Sequence, residues 1–426
     1  MGSHFRQGTA RANKSPWRAS LLHCVLPAAC LVWASLASAR SLDDQIPHLF
    51  GGVFRTSITP FASKDVQAPR VADRFRTLSA ALATARAQVP PPSATGAFRF
   101  EFDDESESYV RSAQSLGPSV AERATTLGHG TVAWSFSYTR IDFDTLEGES
   151  LRHLRTSQPA LSDSFLAQLP EEDRLRAADN TLETELDLRF GFDLWFFTAA
   201  YGLRDDIDVS LTLSLARART RGSAVATIRD PNGDGGAFFT VDQAGVVVDN
   251  LGSCPGEFLC ARDGFDSSAV GTGDLYLRGK WHIGELAGTD WAVVGVLTLP
   301  TGNASDFLGF HDPTFTPWLV ASRAFGRLTP HVNLGYALRS RNDVSQAQWV
   351  AGADYFVTPK LTVAADVLGY HDDWRDGIND DIFQSAFGFK WNPVGQWVAA
   401  TNFQVPLNRD GLRADWIYSF QLEYAF

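Results

Sequence analysis

The feature that most constrains this chain is a period of two. Its last stretch, ADWIYSFQLEYAF, puts Trp416, Tyr418, Phe420, Leu422 and Tyr424 on one parity and Ser419, Gln421, Glu423 and Ala425 on the other. Successive side chains of a strand point to opposite faces, so this is a strand with one apolar face. A strand of that kind at the end of a chain needs a cover. In a soluble domain the cover is a second sheet; in a transmembrane barrel it is the bilayer itself.

The same alternation recurs from residue 129 onward. GTVAWSFSYTRIDFDT sets Val132, Trp134, Phe136 and Tyr138 against Thr131, Ser135, Ser137 and Thr139. TLETELDLRFGFDLWFFTAAYG reads as one long strand, its register surviving Gly191, with Leu182, Leu186, Leu188, Phe190, Phe192, Leu194 and Phe196 on the apolar parity. After the turn LRDDI, Ile207, Val209, Leu211, Leu213 and Leu215 alternate with Asp208, Ser210, Thr212 and Ser214. Similar segments continue to Phe426, although Pro317 weakens the one around Trp318. The connections alternate in length. YGLRDDID, GELAGTD, FGRL, VTPK and NPVG are short, whereas 146–180, 221–270, 300–313, 340–346, 372–380 and 407–411 are long.

Short turns at one end and long loops at the other describe an up-and-down barrel. The expectation is therefore an all-β, transmembrane, antiparallel β-barrel of about 12 strands, embedded in outer-membrane lipid. Charges follow the same logic. A charge on the lipid face near the midplane costs about 2–4 kcal/mol, so charges belong on the lumen parity. That rule nominates Glu183, Glu185, Asp187, Arg189, Arg278, Lys280, His331, Asp354, Asp366, Lys390, Gln421 and Glu423 as lumen-facing. Their mixed signs suit paired wall charges better than a single-sign selectivity ring.

Composition excludes other classes. A mean hydropathy of -0.12 is too polar for a helical membrane protein, and the mature sequence has no run of the ~18 apolar residues a spanning helix needs. A formal charge of -12 argues against a nucleic-acid partner, which would call for a basic surface. The N-terminus does carry a targeting signal. Arg11, Lys14 and Arg18 precede an apolar stretch and the small-residue site Ala37-Ser38-Ala39, which reads as a signal peptide cleaved after Ala39. Export leaves Cys254 and Cys260 as the mature cysteines, and such a close pair predicts a disulfide in a Gly-rich loop.

Residues 40–128 are of another kind. Val71, Phe75, Leu78 and Leu82 share a helical face that ends at Pro90-Pro91-Pro92, and FRFEF with YVRSA could pair as a small hairpin. The segment is either a linker or a part-helical plug folded into the lumen. The domain plan is thus 1–39 signal peptide, 40–128 plug or linker, and 129–426 barrel.

Chemistry-bearing motifs are sparse. The mature histidines are scattered singly, with no HExxH or GxSxG context, so no enzyme activity is expected. DPNGDGG begins like a calcium loop with Asp230, Asn232, Asp234 and Gly235, but Val241 stands where the bidentate Glu belongs, and a plain Asn-Gly/Asp-Gly turn explains the run. No metal or cofactor is expected.

Several motifs together carry a family resemblance: YGLRDDIDVSLTL, GTGDLYLRGKW, LTLPTGNASDFLG, FGRLTPHVNLGYAL and GADYFVTPKLTVAADVLG. They resemble the bacterial outer-membrane proteins described as transporters of the phenol-degradation meta-pathway, over roughly 90–426. That family is distantly similar to FadL-type hydrocarbon channels, which are plugged barrels. The resemblance implies a channel for small apolar or aromatic solutes. Phe426 resembles the C-terminal signal read by the barrel assembly machinery, which makes that machinery an expected partner. The competing reading is a structural or adhesive barrel that works through its loops.

Overall fold

The hairpin around Asp205 and Asp206 shows how the sequence sets the architecture. Two strands of 24 and 23 residues, Thr181–Arg204 and Ile207–Arg229, pair antiparallel across that two-residue turn. Outward on the second lie Val209, Leu211, Leu213 and Leu215; inward lie Asp208, Thr212 and Ser214, all buried. Repeated round the chain, this pattern closes into a barrel.

The computed structural model describes residues 41–43, 45, 100–103, 108–111, 115–118, 120–159, 166–167, 170–179, 181–229, 260–339, 345–373 and 381–426. A hairpin of β1 (Phe100–Asp103) and β2 (Ser108–Arg111) stands apart from the main sheet. The main sheet comprises β3 (Val132–Leu146), β4 (Glu149–Ser150), β5 (Leu154–Pro159), β6 (Thr181–Arg204), β7 (Ile207–Arg229), β8 (Cys260–Leu286), β9 (Thr289–Leu299), β10 (Thr314–Ser322), β11 (Leu328–Ala337), β12 (Ser345–Thr358), β13 (Leu361–Asp373), β14 (Asp381–Trp391), β15 (Trp397–Pro406) and β16 (Leu412–Ala425). A short helix, α1, covers Glu171–Ala177.

Each barrel strand from β6 to β16 pairs with its sequence neighbours, and β3 pairs with both β16 and β6. The result is a closed, all-antiparallel barrel of twelve strands: β3 and β6 through β16. Val132 and Phe426 exchange backbone hydrogen bonds of 2.8 Å in both directions, so the terminal residue completes the seam. Both chain ends of the barrel lie at its short-turn end.

Two expected loops contain strand. The stretch 221–270 was expected to be loop, but β7 continues to Arg229 and β8 starts at Cys260. The stretch 146–180 contains β4, β5 and α1. A bilayer crossing takes about 9–11 strand residues, so more than half of β6, β7 and β8 projects beyond it. Ladder hydrogen bonds sustain a strand there without an apolar outward face, so the pattern that marks lipid-facing strands is lost.

Pro317 does sit in a strand. It pairs with Gly295 of β9, while on the other edge the β10–β11 ladder is bonded at Phe315–Leu338 and again at Trp318–Gly335. Proline occupies the gap between those two points, where its missing N–H interrupts the β10–β11 ladder for one bond without ending the strand.

The exterior is apolar over a continuous band. Leu213, Leu277, Val293, Leu319, Leu334, Val363, Phe387 and Phe403 are each at least 39% exposed, with Leu297 and Val405 slightly below. At the short-turn rim Trp134, Trp397, Tyr424 and Phe426 form a ring cluster, with centroids 5.2 Å apart for Trp134–Trp397, 4.9 Å for Trp397–Tyr424 and 5.8 Å for Tyr424–Phe426. A soluble monomer does not leave a patch of this extent uncovered; a barrel in a bilayer requires it.

Depth can be tested on one strand and one face. Leu213→Arg, within the band, should lower folding stability in lipid by about 2–4 kcal/mol, whereas Ser223→Arg, outward but beyond the band, should cost about 0–1 kcal/mol. The heat-modifiable, folded fraction at graded urea concentrations reads the difference. Equal tolerance at the two positions would contradict a bilayer-embedded band.

Candidate functional site

The interior has a polar wall and an apolar wall, with a strap across the polar one. The strap is 115–118 with 120–128, which have no regular secondary structure. Buried backbone groups need partners, and here wall side chains supply them. Asp208 accepts from the Leu127 N–H at 3.0 Å, Ser322 Oγ from Ala124 at 3.2 Å, and Thr362 Oγ1 from Leu116 at 2.9 Å. Asn333 binds Glu122 twice, accepting from its N–H at 2.7 Å and donating to its carbonyl at 2.9 Å. Leu116 and Leu127 then pack with Ala133, Ala200, Val398 and Ala425 at the short-turn end.

Charged groups fasten the strap further. Arg123 donates to Asp354 Oδ2 at 2.7 Å, and Ser115 Oγ donates to the same oxygen. Glu122 is held by both Arg278 and Lys280, and Lys280 Nζ also donates to the Thr125 carbonyl at 3.0 Å. Behind Asp354 lies His331, whose Nε2 is 2.6 Å from Asp366 Oδ1 and whose Nδ1 is 3.8 Å from Asp354 Oδ1; all three side chains are fully buried. Lys390 and Glu423 pair at 2.9 Å, reaching over the small Ala400 of the intervening β15. Gln421 faces inward beside them and is buried.

Arg278, Lys280, His331, Asp354, Asp366, Lys390, Gln421 and Glu423 thus all face the interior, and the strap joins three of them (Arg278, Lys280, Asp354) into one network. The strap itself was not anticipated as a site. Its signal in the sequence is the adjacent pair Glu122-Arg123 in a run of small residues just before the first barrel strand.

On β6 the sequence expectation is reversed. Leu186, Leu188, Phe190, Phe192, Leu194 and Phe196 are turned inward, each no more than 3% exposed. Glu183, Glu185, Asp187 and Arg189 share the outward parity with Trp195 and Phe197, so they are not lumen residues. They escape the hydrocarbon because this part of β6 lies beyond the apolar band; Arg189 pairs with Asp187 at 3.2 Å and Arg155 with Glu185 at 3.4 Å.

The inward face of β6 makes an apolar wall. Phe192 meets Phe143 of β3 edge-on at 6.0 Å, and Phe196 meets Tyr276 of β8 at 6.2 Å. Toward the long-loop end the β9–β10 connection folds inward, burying Phe307, Leu308 and Phe310. Buried Asp274 fixes it by accepting from the N–H groups of Gly302 at 3.2 Å and Phe310 at 2.9 Å. Gly309 is required there, since a Cβ would stand 2.4 Å from Asp274 Oδ1. The connection also reaches the start of the described chain, where Leu42 N–H donates to Asp306 Oδ1 at 3.2 Å.

The Asp230–Gly236 run, the 71–92 helical face and Cys254 lie outside the described residues, as does the side chain of Cys260. Among the described residues no group of three or more His, Cys, Asp or Glu side chains is placed to hold a metal ion.

No protein-family model matches the chain, and no curated protein matches it. Solved structures do resemble it in fold. An outer membrane channel from Pseudomonas putida F1 is 13% identical, with 72% of this chain and 99% of that chain covered at a TM-score of 0.44. A Pseudomonas aeruginosa FadL homologue is 10% identical over 79% and 98%, with a TM-score of 0.34. The Ralstonia pickettii toluene transporter TbuX is 11% identical over 78% and 97%, also at 0.34.

Removing one partner from a buried ion pair leaves the other charge uncompensated, at about 3–5 kcal/mol. Arg123→Ala should therefore destabilise the barrel by about that amount. Arg123→Met combined with Asp354→Leu should recover most of the loss. Urea unfolding in lipid vesicles checks both; a single substitution as mild as the double one would mean that the strap is not held by this pair.

Proposed function

We propose that the protein is an outer-membrane channel that lets small apolar or aromatic solutes cross by diffusion. The observation that carries this reading is the inward apolar face of β6. A lumen for ions or sugars is lined with polar groups. Phe190, Phe192, Leu194 and Phe196, with Phe143 and Tyr276 beside them, instead form a packed apolar wall, and an apolar solute that displaces their present contacts gains roughly 25 cal/mol for each Å² of its apolar area covered there. The opposite wall, from β11 to β16, is polar and carries the buried His331–Asp366 and Lys390–Glu423 pairs.

Location follows from the closed sheet and its apolar band, since closure removes the edges a bilayer cannot satisfy. The short turns and the strap then face the periplasm, and the extended β6–β8 strands face outward. Phe426, with its backbone paired to Val132 and its ring in the rim cluster, suits the role of an assembly signal. The long β6–β8 projection favours a second reading, a barrel that acts through its outer surface without transport.

Proteoliposomes separate the two. The native protein should admit a small aromatic such as toluene or benzoate much faster than a sugar of similar size. Phe192→Glu should slow the aromatic selectively, and Phe192→Ala should slow it less. Permeation equal to protein-free vesicles would remove the channel reading, and equal passage of sugar and aromatic would remove the apolar path.

A further inference from the structure

We propose that the outward face of β3, β6 and β7, at the long-loop edge of the apolar band, is a binding site for the phosphate groups of an outer-leaflet glycolipid. Cross-strand register arranges the site in rows. The last apolar row is Tyr138, Trp195 and Leu215. One step further out, two residues along each strand, the row is Arg140, Asp193 and Arg217; the next is Asp142, Gly191 and Arg219. Beyond these, Arg221 is paired with Asp266 of β8 and Arg189 with Asp187. Aromatic side chains mark the membrane–water interface, so the first arginine row stands at the height of the lipid headgroups.

The internal pairing leaves one cationic group, Arg217, free for a ligand. Arg219 bridges Asp142 at 3.5 Å and Asp193 at 3.3 Å, and Tyr138 donates to Asp193 at 2.7 Å. Arg140 lies 2.8 Å from Asp142. Gly191 permits this packing: a Cβ there would stand 2.4 Å from Asp142 Oδ1. Both carboxylates are thereby occupied, while Arg217, exposed and level with Arg140, has no hydrogen bond or ion pair with a described residue. Within the two rows next to the apolar band, Arg140, Arg217 and Arg219 stand against Asp142 and Asp193; Asp144 lies one row further out, level with Arg189.

The placement is one-sided. At the same end of β9 to β15, the described outward strand positions carry one cationic candidate, His371, which is 2.6 Å from Asp381. A planar guanidinium donates two parallel hydrogen bonds to phosphate, and arginines beside a membrane surface attract anionic lipid independently of any lumen solute. The site thus binds on the outside of the barrel and does not depend on transport.

The test uses the purified full-length protein in detergent, titrated with a bisphosphorylated lipid A-type glycolipid and read by native mass spectrometry. Arg217→Gln should weaken binding about fivefold, and Arg217→Gln with Arg140→Gln about twenty-fivefold, the scale of one arginine each near a charged surface. Arg323→Gln, at the short-turn end, should leave binding unchanged. The dephosphorylated glycolipid should bind the native protein more weakly, and inorganic phosphate should not displace the lipid. Unchanged affinity in both arginine variants, with heat-modifiable mobility intact, would overturn the site. Equal binding of the dephosphorylated lipid would overturn the role of phosphate, and displacement by millimolar inorganic phosphate would overturn its assignment to a lipid.

Discussion

The hydrogen-bonded seam between β3 and β16 is the interaction on which everything else rests. Without water, an unpaired N–H or C=O in a bilayer costs several kcal/mol, and an open sheet has a row of them at each edge. Register from Leu412–Leu146 to Ala425–Ala133, extended by the Val132–Phe426 pair, leaves no such row. Closure also defines an inside. Once the sheet is a tube, one parity of every stave belongs to lipid and the other to the lumen, and each side must satisfy a different solvent.

The two sides meet that demand differently. Outside, side chains need only be apolar and can vary freely in shape. Inside, the polar parity is crowded into a space with little water, so groups such as Asp208, Lys280 and Asp354 need named partners. The strap supplies them. Its irregular backbone would be unsatisfied alone, and the wall's side chains would be unsatisfied without it, so the two stabilise one another by exchanging donors and acceptors.

Much of this was legible in the sequence, and the exceptions have physical causes. Period two and alternating turn lengths specify a twelve-stranded meander, because strand geometry and bilayer thickness leave no other way to read them. Period two does not say which parity faces lipid. On β6 both parities are apolar near the middle, with Phe192, Leu194 and Phe196 on one and Trp195 and Phe197 on the other. The charges that suggested a lumen face, from Glu183 to Arg189, lie above the membrane where the rule has no force. The tight turn holds the answer. Cross-strand partners share a face, and Tyr201–Val209, Phe197–Leu213 and Trp195–Leu215 are partners. Since Val209, Leu213 and Leu215 face lipid, the odd residues of β6 must do so too. The strap was hidden for another reason: an irregular segment has no periodicity, and its partners are scattered from Asp208 to Thr362.

The strength of the strap constrains how the proposed channel works. Releasing it separates Arg123 from Asp354 and Glu122 from Arg278 and Lys280 at the same time. If each buried charge group costs about 3–5 kcal/mol when left unpaired, the released state lies roughly 6–10 kcal/mol higher, a population of about one in 10⁴ to one in 10⁷. A path that waited for that opening would be closed nearly always. The apolar wall offers an alternative, because the strap's packed contacts on β6 are at Ala200, whereas the aromatic face begins at Phe196 and runs toward the outer end. A solute following that wall meets the β9–β10 connection first, where Asp274 accepts from the Gly302 and Phe310 N–H groups and the Arg339 guanidinium lies 4.9 Å from the centre of the Phe310 ring. In the proposed channel the strap then serves as a fixed floor past which the solute must find its way.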